Sequence, residues 1–181
     1  MATAIQPFTG SYELDPTHST VQFAVKHVNV SIFRGSFSDV AATLNLEDGK
    51  IDLEGRVVTE SISIHKPQEF RDHVLWSADF FAADANPAIT FRSTSVHFDQ
   101  DRDATVSGEL TIRGLTRGVT ANGTYQPPRE DPFGTYRVGL DLRTTVDRRN
   151  WEMGWQMLLP DGSDALGWNV EISAQLELVK T

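Results

Sequence analysis

The chain has 181 residues, 39% of them hydrophobic, no cysteine and a formal net charge of −9. That length suits one domain able to bury a real core without covalent staples, and the lack of cysteine excludes disulfides, thiolate metal sites and cysteine nucleophiles. The negative charge opposes binding to nucleic acid or to anionic membrane surfaces, no apolar run approaches the ~20 residues that insert across a bilayer, and the start "MATAIQPFTG" lacks the basic and apolar regions of a signal peptide, so a cytoplasmic location is expected.

Residues 1–9 read as a flexible tail on a single domain spanning 1–181. Beyond them, period-2 alternation dominates, the mark of strands with one buried face. In "STVQFAVKH", Ser19, Val21, Phe23, Val25 and His27 share a face, and Gln22 and Lys26 take the other. "LNLEDGKIDLEG" reads as a hairpin joined at Asp48-Gly49, where glycine adopts positive φ cheaply. "KPQEFRDHVLWSADFFAA" departs from alternation: Phe70, Val74, Leu75 and Phe81 fit a helical stripe, with Pro67 in the first turn. "AITFRSTSVHF" changes phase between Ile89/Phe91 and Val96/Phe98, which predicts a bulge or an edge. "TVSGELTI" alternates, and "RGLTRG" turns the chain into the alternating "VTANGTY". "PPREDPFG" reads as a loop before the long alternating runs "TYRVGLDLRTTV" and "GWNVEISAQLELVK". Between those two lies "NWEMGWQMLL", with Trp151, Met153, Trp155, Met157 and Leu159 on every second position. It presents one face of a strand, or a helical turn, since Trp151 and Trp155 are also four apart.

Together these elements predict an all-β protein: an extended antiparallel up-and-down barrel of about eight strands with one inserted helix. A barrel of that size has room for one small ligand. The five histidines, His18, His27, His65, His73 and His97, form no H-x-H or H-E-x-x-H pair, so no metal site is expected. In "DPTHS", Asp15 reads as a turn residue bonding nearby backbone N–H groups, in preference to half of a catalytic Asp15–His18 pair. No serine elbow and no phosphate-binding loop is present, and no cofactor is expected. His27 extends the apolar face of Val21, Phe23 and Val25. Such a ring either orients the polar group of a ligand or is a mouth residue satisfied by water.

The blocks "YELDPTHSTVQFAVKHV", "RGSF", "SADFFAADANPAITFRST" and "VSGELTIRGLT", in this order, resemble the YceI-like family of lipocalin-like polyisoprenoid-binding proteins, from about Gly10 to Lys180. The resemblance implies a lipocalin-like barrel whose lumen holds an isoprenoid or similar amphiphilic lipid, such as a polyprenyl phosphate or a quinone. Phe23, Val25, Phe37, Phe91, Trp151, Trp155 and Trp168 would be lumen or mouth contacts. His27 would orient the head, and Arg148 or Arg149 would meet a phosphate. Two places depart from the family pattern. Its Asp-x-His-Leu reads Asp72-His73-Val74-Leu75, and its Arg-x-x-Phe-Gly reads Arg148-Arg149-Asn150-Trp151-Glu152. A carrier or sequestering role is the expectation. The rivals are an enzyme using His27, His18 and Asp15 for proton transfer, and a ligand-free interaction or stress-response scaffold. Exposed sheet edges are compatible with a homodimer.

Overall fold

The computed structural model describes residues 9–181, so the expected tail lies outside the described residues but for Thr9. Ten strands and one helix follow in the order β1 (Gly10–Leu14), β2 (Thr20–His27), β3 (Ser31–Phe37), β4 (Val40–Glu47), β5 (Lys50–Val58), α1 (Gln68–Trp76), β6 (Ala88–Phe98), β7 (Asp103–Ile112), β8 (Leu115–Glu130), β9 (Tyr136–Asp147) and β10 (Leu166–Lys180). All pairings are antiparallel. They run β1-β4-β5-β6-β7-β8-β9-β10, and β10 pairs β1 again, which closes an eight-strand barrel. β2 and β3 continue the wall beyond β1 and β4. β10 pairs β1 through Leu178–Lys180 and β2 through Leu166–Gln175. The break between β1 and β2 is the "DPTHS" corner. There the Thr17 N–H donates to Asp15 Oδ1 at 2.9 Å, as the turn reading required.

Local chemistry explains the joints. At the β4–β5 hairpin both Asp48 (φ 51°) and Gly49 (φ 77°) are left-handed, the geometry that matches the twist of paired strands. The "RGLTRG" turn is tighter than expected: only Arg113 and Gly114 turn, and Leu115 already pairs Ile112. The predicted phase change is real, with a register shift between Ser93 and Ser95 that lets one strand, β6, serve both phases. "PPREDPFG" is not all loop. Pro127 and Pro128 lie inside β8, where the register with β9 shifts between Gln126 and Arg129, so the missing N–H groups break no ladder bond. β3 was not anticipated from alternation.

α1 is shorter than the stripe suggested and ends at Trp76, and Pro67 sits just before it rather than in its first turn. It buries Val74 and Leu75 and covers the region beside β3, where no strand pairs in its place. Arg71 fixes it there, donating to the carbonyls of Ile62 (3.0 Å), Ile64 (2.6 Å) and Glu60 (2.8 Å).

The "NWEMGWQMLL" stretch is neither strand nor α-helix. Arg148–Trp151 form a 3-10 turn, Glu152 is left-handed, and the chain then runs irregularly to Leu166. The alternation fails because the β9 ladder ends at Asp147 and the residues beyond it fill a gap. β8 pairs β9 only from Asn122 onward, so the first half of β8 lacks a partner on that side. Trp151 and Met153 pack into this gap with Leu110, Ile112 and Val146, and Met157 is exposed.

Candidate functional site

One end of the barrel is solid. Tyr12, Leu44, Leu46, Leu53, Val106, Tyr125, Val138, Leu140 and Leu178 interdigitate there, Tyr125 stacking on Phe98 at 4.4 Å between ring centroids. Toward the other end the inward positions stop meeting across the axis. Two separate clusters line opposite walls. One is built on Phe37, Val57, Ile62, Ile64, Val74 and Leu75, and the other on Leu110, Ile112, Val146, Trp151 and Met153. The space between them is a cavity of about 670 Å³, within the usual ~300–1,000 Å³ of small-molecule sites.

Side-chain size decides why it stays hollow. Ala42, Ala121 and Ala174 stand on three strands where larger residues would reach the axis, and Gly55 adds a fourth small position. Aromatic rings occupy the space over other glycines. A Cβ on Gly35 would fall 2.4 Å from the Phe23 ring, and one on Gly108 would fall 2.5 Å from the Phe91 ring.

The expected lumen residues Phe23, Val25, Phe37, Phe91, Trp151 and Trp155 all line the cavity. His27 lines it at the exposed end of β2, opposite Ser31, and its ring has no protein partner among the described residues. Trp168 does not line it. The Arg148 and Arg149 guanidinium carbons lie 4.2 and 4.7 Å from the centroid of its ring, and its Nε1 donates to Asp164 Oδ2 at 2.7 Å. A register shift with β2 between Leu166 and Val170 accompanies this change. Arg148 does line the cavity, but it is a tie within the wall. It donates through Nε to Gly167 O (2.9 Å), through Nη1 to Met153 O, and weakly through Nη2 to Leu166 O (3.4 Å). Burial pushes its pKa below the usual arginine range, against the pull of Asp147 and Asp164. Arg149 pairs with Asp147 and does not line the cavity.

Sequence reasoning missed Phe33, Phe70, Phe80 and Met153, which also line the cavity. Phe33 was findable: pairing β2 with β3 through a turn at 28–30 sets it opposite Val25. Phe80 carried no periodic signal, because it lies in the irregular turn after α1.

The left-handed Glu152 (φ 58°) stands where the family pattern has glycine. A side chain there costs ~1–2 kcal/mol, partly offset by the greater freedom glycine loses on folding. Glu152→Gly is therefore expected to stabilise the chain by about 0.5–1 kcal/mol, read as a rise in the urea midpoint. An unchanged midpoint means the turn bears no strain.

The proton-transfer trio of the enzyme reading is not assembled. His27 and His18 flank β2 at opposite ends, roughly 20 Å or more apart at ~3.3 Å per residue. His18 Nδ1 instead bonds Asp15 Oδ2 (2.8 Å), and Arg137 Nη1 reaches both Asp15 Oδ2 (2.8 Å) and Glu177 Oε1 (2.6 Å). Asp15, His18 and Glu177 have the spacing of a metal triad, yet the guanidinium already supplies the cation. The hydrogen bond from His18, then that from Arg137, hold Asp15 well below its usual 3.8. The Asp15 bond and its charge raise His18 above 6.5. The Asp15 contribution to stability is present above pH 3.8 and lost as pH falls through its folded pKa. The His18 contribution is present below pH 6.5 and lost as pH rises through its folded pKa. The corner is thus strongest between pH 4 and 6.5. NMR titration of His18 is expected to give a midpoint above 6.5, returning toward 6.5 in Asp15→Asn. A midpoint that ignores Asp15→Asn breaks the assignment.

Comparison with known proteins agrees with this architecture. The model of the family described as "YceI-like domain" matches residues 12–178. A UPF0312 protein of Staphylococcus aureus is 31% identical over 170 residues, covering 92% of this chain and 96% of the relative. Among solved structures, BcnA of Burkholderia cenocepacia superposes with a TM-score of 0.71 at 22% identity, over 93% of this chain and 99% of that one. A Campylobacter jejuni YCEI protein gives 0.70 at 19% identity, over 86% and 90%. A domain of Saccharophagus degradans, described as polyisoprenoid binding, gives 0.64 at 13% identity, over 94% and 98%. At those identities the structures speak to the fold.

Proposed function

The chain belongs to the YceI-like family, and from that premise we propose that it binds an isoprenoid or similar amphiphilic lipid in the barrel lumen, as a carrier or sequestering protein. The observation that carries this reading is the cavity of about 670 Å³ walled by aliphatic and aromatic side chains. A ligand for such a wall gains by leaving water, with few directional bonds. At ~0.8 kcal/mol per buried CH₂, one isoprene unit contributes roughly 3–4 kcal/mol before the cost of ordering the tail. The likeness to a domain described as polyisoprenoid binding supports the same class of cargo. His27, unpartnered and at the open end, is placed to take the polar head, and the tail extends toward Val106, Leu142 and Leu176 at the solid end. Arg148 serves this site as wall, since its nitrogens are engaged by carbonyls.

The test is native mass spectrometry of freshly purified protein, with lipid extraction and re-addition of prenyl lipids. A bound adduct that extraction removes and farnesol or a prenyl quinone restores is the expected result. Protein that is uniformly empty and takes up neither sinks the reading.

A further inference from the structure

The cavity mouth is framed by a closed circuit of contacts. The β2–β3 turn bonds the loop after the 3-10 turn, Val28 N–H to Ala165 O at 2.6 Å, and Ala165 N–H bonds Met157 O at 2.8 Å. The same loop carries Trp155, whose ring lies 5.9 Å from that of His73 on α1. On α1, Phe70 lies edge-on to Phe33 of β3 at 5.8 Å, and β3 leads back to the turn. Five of the eight exposed large hydrophobic side chains among the described residues stand on this circuit: Val30, Ile32, Phe70, Met157 and Leu158. Val30 is 85% exposed and Leu158 69%. The collar is also free of charge where it is most apolar. Residues 28–33, "VNVSIF", and 153–160, "MGWQMLLP", hold no Asp, Glu, Lys or Arg, although 23% of the whole chain is charged.

A contiguous exposed apolar rim marks a surface that meets something apolar. Charge-free segments offer no ion pairs to the polar rim of a protein partner and no cations to anionic head groups. The net charge of −9 repels an anionic surface as well. We infer that this collar docks the mouth onto an uncharged phospholipid bilayer, so that cargo passes between membrane and lumen without crossing water. The idea rests on the lipid reading above for its purpose, and the docking itself is measured separately. Val30, Met157 and Leu158 insert among the acyl chains next to the head groups, as apolar side chains of interfacial proteins do. These three do not line the cavity, so docking and cargo affinity are separable by substitution.

The experiment is flotation of the protein with phosphatidylcholine vesicles, alongside a farnesol titration in the absence of vesicles. Wild type is expected to float, equally at low and high salt and without gain from added phosphatidylserine. Val30→Asp/Met157→Asp/Leu158→Asp is expected to lose vesicle binding by roughly tenfold or more while titrating farnesol as wild type does. The milder Val30→Ser/Leu158→Ser is expected to fall between them, which guards against a folding defect. Wild type that stays unbound, that floats only with anionic lipid, or that floats no better than the triple variant overturns the inference. So does a collar that instead pairs two copies, seen as a dimer which the triple variant dissociates. Flotation without any farnesol uptake upholds docking and sinks the cargo reading instead.

Discussion

Replacing Ala174 by tryptophan is expected to cut prenyl-lipid affinity by about 100-fold or more and to leave the barrel folded. Ala174 lies on β10 between Val21 of β2 and Leu142 of β9, and it lines the cavity near the solid end. A large side chain forced into a packed core costs ~1–3 kcal/mol, because neighbours must move. Here the indole enters space that no neighbour fills, so a stability change under ~1 kcal/mol is expected. The ligand loses what the indole takes. Excluding one isoprene unit from the wall forfeits roughly 3–4 kcal/mol, which corresponds to about 100- to 1,000-fold in affinity. Farnesol titration and urea unfolding of the same preparation separate the two effects. Wild-type affinity in a folded Ala174→Trp protein places the ligand outside the lumen. Val119→Phe on β8 faces the same hollow from another wall and guards against a local clash at Ala174.

The regular part of this barrel was legible because its strands keep one face buried for their whole length. Val138, Leu140, Leu142 and Val146 alternate on β9 and are buried as alternation predicts. The bulge in β6 was legible for the same reason, since only an inserted residue lets Phe91 and Val96 both face inward. The site was half legible. Phe23 and Val25 could be read from the β2 stripe, and Phe37 and Phe91 from the family blocks. Trp155 could not be placed by period at all, because the chain around it follows no ladder. Trp168, a contact the resemblance implied, lies off the cavity lining with two guanidinium groups over its ring, which the side of a strand alone does not reveal. Hollowness was the least legible property. Whether opposed apolar faces touch depends on barrel girth and on small residues such as Ala42, Gly55, Ala121 and Ala174 acting together. No single strand shows that sum.

Arg148→Met is expected to destabilise the protein by about 2–5 kcal/mol, about 1–3 for each carbonyl left without a donor and more than almost any surface change could. Arg148 is 4% exposed and has no carboxylate within salt-bridge distance among the described residues. A buried cation of that kind persists because its N–H groups are spent, here on the Gly167 and Met153 carbonyls and more weakly on Leu166 O, which also accepts from Gln156 Nε2 at 2.7 Å. Methionine matches much of the packing and none of the donation, so the Gly167 and Met153 carbonyls lose this donor while Leu166 O keeps Gln156. The consequence reaches the mouth. Those carbonyls belong to the start of β10 and to the loop carrying Trp155, so releasing them loosens the rim beside His27, which pairs Leu166. Trp151 holds the same turn from the other side, 1% exposed, with Nε1 3.3 Å from Leu110 O. Trp151→Phe, the residue of the family pattern, keeps most of the packing and is expected to cost about 1 kcal/mol, whereas Trp151→Ala is expected to cost about 3–5 kcal/mol. Arg148→Met and Trp151→Ala together should cost less than the two added separately, because either alone unseats the turn. Urea unfolding of the four variants checks the order. An Arg148→Met protein that is as stable as wild type but loses prenyl phosphates and keeps prenyl alcohols would instead make Arg148 the receptor of a phosphate head, and would return that group to the ligand site from which its three carbonyl bonds now exclude it.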